Sequence, residues 1–288
     1  MTTETWTVTG PQTIDLPADA GDSLHAPLAR LEVGLVRGRV DVVTHDEPGI
    51  RVEVHAVDGR PLEVSLKNDG TVKVGYAFLG LEGFLDRFRS FRARDSADVH
   101  VAVPANVAVK VGVVQAEGLL SGVREGASVS TVSGSVVVDG TAGHLRLNSV
   151  SGEVTVRDHD GEVVANTVSG ELTVTGALPS VSVSTVSADA TVDSSVTPRQ
   201  LKVSSVSGDV LARVPAPDLL AQTVHTVSGR VLVDGVEHTA RRGAQSSVVV
   251  PATGKDAGQI SVNTVSGSVT VLRGLPTADE RITDGADL

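Results

Sequence analysis

The 288-residue sequence predicts an all-β protein, an elongated β-solenoid built from two-strand repeats of about 18 residues. Three observations predict it. Valine dominates the composition, while there is one Trp, one Tyr and four Phe, so burial rests on small β-branched side chains that suit strands. A tetrapeptide, TVSG or SVSG, returns with its glycine at Gly134, Gly152, Gly170, Gly208, Gly229 and Gly267, and Thr185-Val186-Ser187-Ala188 fills the vacant place. A short fixed period of this kind belongs to stacked arrays. Around each tetrapeptide the apolar residues alternate, as in Leu145, Leu147, Ser149, then Val150, Gly152, Val154 and Val156, with the parity slipping by one between Ser149 and Val150. A flat strand cannot slip parity, whereas a bulge or corner can. A β-sandwich of stacked hairpins is the alternative, since it satisfies the same alternation.

Taken in order, residues 1–28 form an N-terminal cap segment without the repeat pattern, and the repeat domain spans 29–273. Its first copy is Leu31, Val33, Leu35, Val36, Gly38, Val40, Val42, and another is Val109, Val111, Val113, Val114 with Ala116 in the glycine place. Between them, 81–94 breaks the β pattern. The tetrapeptide copies follow at near-equal intervals except the last, Gly229 to Gly267, which is about double and leaves room for one hidden turn at Val248–Val250. Val-Pro-Ala at 103–105, 214–216 and 250–252 closes strands at loops, because proline lacks the donor a central strand needs. The acidic tail, 274–288, carries no periodicity and reads as disordered. One repeat cannot stand alone: about five aliphatics, worth roughly 1.5–3 kcal/mol each, face an ordering entropy of roughly 1.5 kcal/mol per residue. Stacking makes up the difference.

With TVSG, SVSG and the upstream copy ending in His45-Asp46-Glu47-Pro48-Gly49 in view, the chain resembles the bacterial β-strand-repeat family labelled “putative adhesin”, of unknown function, over about residues 29–273. The resemblance implies a β-solenoid-like fold and brings no catalytic residues with it. Its adhesin label implies a cell-surface role, but Met1–Gly10 shows no export signal, so a cytoplasmic chain is expected.

Several chemistries are excluded by composition. Without cysteine there are no disulfides, thiolate metal sites or cysteine nucleophiles, and a net charge of -11 argues against nucleic acid. No Gly-x-Ser-x-Gly elbow, phosphate loop or dinucleotide fingerprint occurs. The eight histidines form no HExxH pair, so no metal site and no cofactor is expected. Asp158-His159-Asp160-Gly161 reads as a turn in preference to a cation loop. Glu153 and Glu171 stack one period apart, but Ser135 and Asp209 in the neighbouring places argue for surface decoration.

Two patterns bear on binding. The hydroxyls Thr131, Ser149, Thr167, Thr185, Ser205, Thr226 and Thr264 precede the repeated Val, and a serine follows it. They either form a flat outward array suited to ice or polysaccharide, or turn inward at a corner onto local backbone; the parity slip favours the second. In addition, five aromatics, Tyr76, Phe78, Phe84, Phe88 and Phe91, crowd into one short stretch, and Leu81, Phe84, Leu85, Phe88 and Phe91 fall on one helical face among Arg87, Arg89, Arg92 and Arg94. This insertion is either a lid over the side or open end of the solenoid, where stacked strands need protected edges, or an amphipathic helix that offers Phe84, Leu85, Arg87, Phe88, Phe91 and Arg92 to a protein partner or an anionic membrane surface. The expected function is non-catalytic binding or scaffolding, not an enzyme, with self-association left open. A carbohydrate-binding or carbohydrate-cleaving β-solenoid is the alternative.

Overall fold

A computed structural model describes residues 4–17, 28–76, 95–238, 246–253 and 258–274. The acidic tail beyond Gly274 lies outside the described residues. Among those described, every regular element is a strand, apart from one 3-10 turn at Pro217–Leu219. The chain divides into two compact units, Met1–Glu153 and Val154–Leu288.

The first unit holds β1 (Glu4–Val8), β2 (Gln12–Leu16), β3 (Arg30–His45), β4 (Ile50–Asp58), β5 (Leu62–Leu66), β6 (Thr71–Gly75), β7 (Ser96–Pro104), β8 (Ala108–Ser121), β9 (Ala127–Thr131), β10 (Val136–Asp139) and β11 (Ala142–Ser149). Its centre is a parallel stack. β3 pairs with β8 from Arg30↔Ala108 to Val43↔Ser121, both strands running unbroken through the corner. On one face β9 follows β8, and β11 follows β9, each one repeat on, so that Val109, Ala127 and Leu145 pair in turn. On the other face β10 follows β8 at the same interval, with Val136 opposite Gly118. The opposite side of β3 is covered by one further rung in two pieces, β6 against Arg30–Gly34 and β7 against Gly38–His45. Antiparallel strands finish this end: β5 then β1 beyond β6, and β4 then β2 beyond β7.

The second unit holds β12 (Val154–Thr167), β13 (Glu171–Thr185), β14 (Asp189–Ser194), β15 (Gln200–Ser204), β16 (Val210–Val214), β17 (Leu220–Thr226), β18 (Val231–Val233), β19 (Val236–His238), β20 (Ser246–Val250), β21 (Gly258–Thr264) and β22 (Val269–Arg273). β12, β13 and β14 climb by one repeat per rung, as Val154, Leu172 and Ala190 pair in turn, all in parallel. β15 and β16 continue with a slightly longer step, Val181↔Leu201 and Ala190↔Val210. Thereafter spatial order departs from chain order. β21 lies between β15 and β17, and β22 between β16 and β18, so the turn 258–273 fills a slot between two turns that precede it. The Val248–Val250 run is not the expected hidden turn. It belongs to β20, which runs antiparallel to β17, whereas the turns pair in parallel.

Parallel turn-on-turn pairing makes each unit a β-solenoid and rejects the hairpin sandwich. Inward residues of successive rungs, such as Val33, Val111, Val129 and Leu147, or Leu172, Ala190 and Val210, are at most 3 % exposed. Valine fits this position because its branched Cβ packs on the rungs above and below while the backbone stays extended.

Candidate functional site

The corners are built by the tetrapeptide. Thr131 donates its hydroxyl to the Gly134 carbonyl (2.8 Å) and accepts from the Gly134 amide (3.1 Å). Ser149 and Gly152, Thr185 and Ala188, and Ser205 and Gly208 repeat both bonds. Thr226 and Thr264 accept from Gly229 and Gly267 in the same way. All seven repeat hydroxyl residues are buried. The first hydroxyl therefore turns inward, as the parity slip predicted. The second serine lies outside but is engaged as well: Ser151 donates to the Val132 carbonyl at 2.9 Å and Ser187 to the Val168 carbonyl at 3.1 Å, bonding one rung to the next. A free outward hydroxyl array does not form.

What the corner does expose is the valine. In the second unit Val168, Val186, Val206, Val265 and Val227 lie on successive rungs, each 47–48 % exposed. Beside them Glu171, Asp189 and Asp209 also fall on successive rungs. Asp189 accepts from the Asp209 amide (2.8 Å) and Asp209 from the Ser268 amide (2.7 Å), so these carboxylates hold backbone. The acidic column is more continuous than the glycine-keyed reading allowed, because its middle member follows Ala188. The Asp158–Gly161 turn is a bulged corner within β12, with Asp158 at φ 49° and His159 buried. Among the described residues no cluster of three His, Asp or Glu side chains could hold a metal ion.

One rung of the first unit is interrupted beside the corner of β3 between Gly34 and Gly38. β6 ends opposite Gly34 and β7 resumes opposite Gly38, and 77–94 intervene. Phe84, Leu85, Arg87, Phe88, Phe91 and Arg92, and the helix expected there, lie outside the described residues. The two ends of the insertion are described, and both are clamped. Tyr76 is 3 % exposed, and burial, with Asp95 next in effect, pushes its phenol up to about 12. Asp95 is 2 % exposed; its carboxylate accepts from the Arg60 amide (3.1 Å) and from Arg60 Nε (2.9 Å), with Nη2 at 2.8 Å. A buried carboxylate is tolerable here only because a guanidinium satisfies it.

Among the described residues of the first unit, concavities open at the following two places. One, of about 590 Å³, lies at the loop between β3 and β4, where Asp15 pairs with Arg51 at 2.7 Å and His45 Nδ1 accepts from the Glu47 amide at 3.1 Å. The other, of about 290 Å³, lies on the outer face of β3, β8, β9 and β11. The second could not be found by scanning for local motifs, since it is assembled from residues on separate rungs.

Among curated proteins none matches the chain. A solved structure described as “a putative cell adhesion protein” from Clostridium sporogenes aligns over 91 % of this chain and 98 % of its own, at 8 % identity and a TM-score of 0.24. A second, described as “Putative lipid binding protein” from Parabacteroides distasonis, aligns over 92 % and 95 %, at 11 % identity and a TM-score of 0.49. The family model described as Toastrack DUF4097 matches residues 31–272, which takes in the first full turn at β3 and the last at β22. The chain belongs to the Toastrack DUF4097 family, whose function is unknown.

Proposed function

We infer that the chain is a non-catalytic binding protein, in which the stacked turns serve as a frame and the insertion between β6 and β7 makes the contact. The observation that carries this reading is the clamped corner. A rung whose neighbours on β3 and β8 run unbroken is opened at one point, and the open ends are held by Tyr76 and by the Asp95–Arg60 pair. Five of the chain's six aromatics, four arginines and an apolar face at helical spacing are concentrated at or beyond those ends. Aromatic and arginine side chains contribute most to contact energy at interfaces, and rigid anchors lower the ordering cost of binding. The occupant is a protein partner or an anionic membrane surface.

Replacing Phe84 and Phe88 together by Ala is expected to abolish retention on vesicles of phosphatidylcholine with phosphatidylserine, or on the protein partner, with the far-ultraviolet circular dichroism unchanged. Retention equal to that of the unsubstituted chain would remove the insertion from the function. Loss of the β spectrum would show instead that it is part of the frame.

A further inference from the structure

We propose that the 290 Å³ groove on the outer face of the first unit binds an acidic saccharide. This site is independent of the aromatic insertion, uses none of its residues, and can fail or stand without it.

The groove is assembled by register. On the outward side of the sheet, Lys73, Glu32, Lys110, Ser128 and Arg146 occupy the same position on five adjacent rungs. Beside them, Arg30 pairs with Ala108, and the Gly126 carbonyl accepts from the Val109 amide. The floor is made of small residues, Ala108, Gly126, Ala127 and Ser128, and the walls carry Arg30, Lys110 and Arg146. Small residues flanked by long cationic ones produce a trough running across the strands. At roughly 4.8 Å per rung, the three steps from Arg30 to Arg146 span roughly 14 Å.

Charge separates this trough from the rest of the surface. The chain carries a net -11, yet Arg30, Lys110 and Arg146 have no carboxylate partner among the described residues. Glu32, the acid nearest to them in the column, is engaged by Lys73 at 2.8 Å. Three cations without an ion-pair partner, against the single carboxylate of Glu125 once Glu32 is paired with Lys73, leave this depression on an acidic protein locally positive and attractive to oxyanions. Such a concentration has no structural task here, because the rungs beneath are already held by backbone bonds and buried aliphatics.

The remaining lining chooses among anions. Glu125 and Glu32 stand within the same trough, and Ser128 lies on its floor. A ligand made only of phosphates would meet repulsion from Glu125, and a long polyanion would meet the net charge of the whole chain. A sugar acid fits both signs: its carboxylate or sulfate faces Lys110, Arg30 and Arg146, while its hydroxyls donate to Glu125 and Ser128. The volume lies at the small end of ligand sites and takes one ring of a short acidic oligosaccharide, the remaining rings lying outside the depression.

The experiment is titration calorimetry of the full chain with trigalacturonate, with galactotriose and short-chain polyphosphate as comparisons. Saturable binding of trigalacturonate and none of the neutral trisaccharide is expected. Lys110→Ala with Arg146→Ala is expected to weaken it about tenfold or more, the scale of losing charge-assisted hydrogen bonds. Ser128→Leu, which fills the floor and keeps every charge, is expected to abolish it. Circular dichroism identifies any variant that fails to fold, and the unsubstituted chain then decides by its preference among the three ligands. Polyphosphate bound as tightly as trigalacturonate, or binding indifferent to Ser128→Leu, would reduce the trough to a general cationic patch and overturn the assignment. So would the absence of saturable binding at millimolar sugar. The insertion is read separately, through vesicle retention and the phenylalanine variants.

Discussion

Gly208 lies on backbone that any residue can adopt, so its replacement by Ala would ordinarily stabilise by about 0.4–1 kcal/mol through the unfolded chain. The opposite sign is expected here. A Cβ built at Gly208 falls 1.8 Å from the Ala188 carbonyl oxygen of the rung beneath, and the rungs must part before that contact reaches even 3.0 Å. That retreat opens the two bonds flanking the contact, Ser207 amide to Val186 carbonyl and Ala190 amide to Asp209 carbonyl, both 2.9 Å. Two backbone bonds at roughly 0.5–1.5 kcal/mol each put the cost at about 1–3 kcal/mol, which exceeds the entropic gain. Gly10 supplies the control, since a Cβ there meets nothing within 4 Å. Equilibrium denaturation in urea, followed by far-ultraviolet circular dichroism, should therefore show a lower midpoint for Gly208→Ala and an unchanged or higher one for Gly10→Ala. If both substitutions move the midpoint upward, close approach of the rungs is not why the tetrapeptide keeps its glycine.

Other outcomes follow from the same geometry. Ser205→Ala leaves the buried Gly208 amide unpaired and should cost about 1–3 kcal/mol, whereas Ser205→Thr, which restores the residue used at other corners, should fall within about 0.5 kcal/mol of the parent in thermal unfolding. Gly170 is the corner glycine held at φ 105°, so Gly170→Val should cost about 1–3 kcal/mol from backbone strain; a loss below about 0.5 kcal/mol would contradict that strain. Tyr76 is the chain's single tyrosine, and its phenol is raised from 10.0 to about 12 by burial. The folded state therefore holds its proton more tightly than the unfolded state. This contribution is complete below about pH 10 and is lost towards pH 12, at about 1.4 kcal/mol per pH unit. Phenolate absorbance should titrate as one late step, and Tyr76→Phe should flatten the alkaline fall in stability. Asp95→Ala breaks the Arg60 clamp and should cost about 1.5–3 kcal/mol in the same denaturation assay.

The sequence carried the repeat unit well because each turn obeys local rules. Parity located the corner, and the inward hydroxyl followed from Ser149 sharing a face with Leu145 and Leu147. The upstream copies at Leu31 and Val109 were readable for the same reason, and they pair in register. Rung order was not readable. Leu201, Ile260 and Gln222 occupy equivalent inward positions, and nothing in their spelling says that the turn at 260 belongs between the other two. The groove escaped for a related reason. The strongest local cluster of arginines along the chain is in 81–94, whereas Arg30, Lys110 and Arg146 become neighbours only when copies are aligned by template position. Doing that for Glu32, Lys110, Ser128 and Arg146 would have exposed the column.

The slot filled by β21 and β22 bears on how the second unit is made. β21 and β22 follow β15 to β18 in the chain yet occupy an interior place, so without residues 258–273 β15 and β17 would each keep an unpaired edge towards the gap. Such edges invite aggregation and cleavage. Closure of this sheet thus depends on a rung that is synthesised after the two it joins.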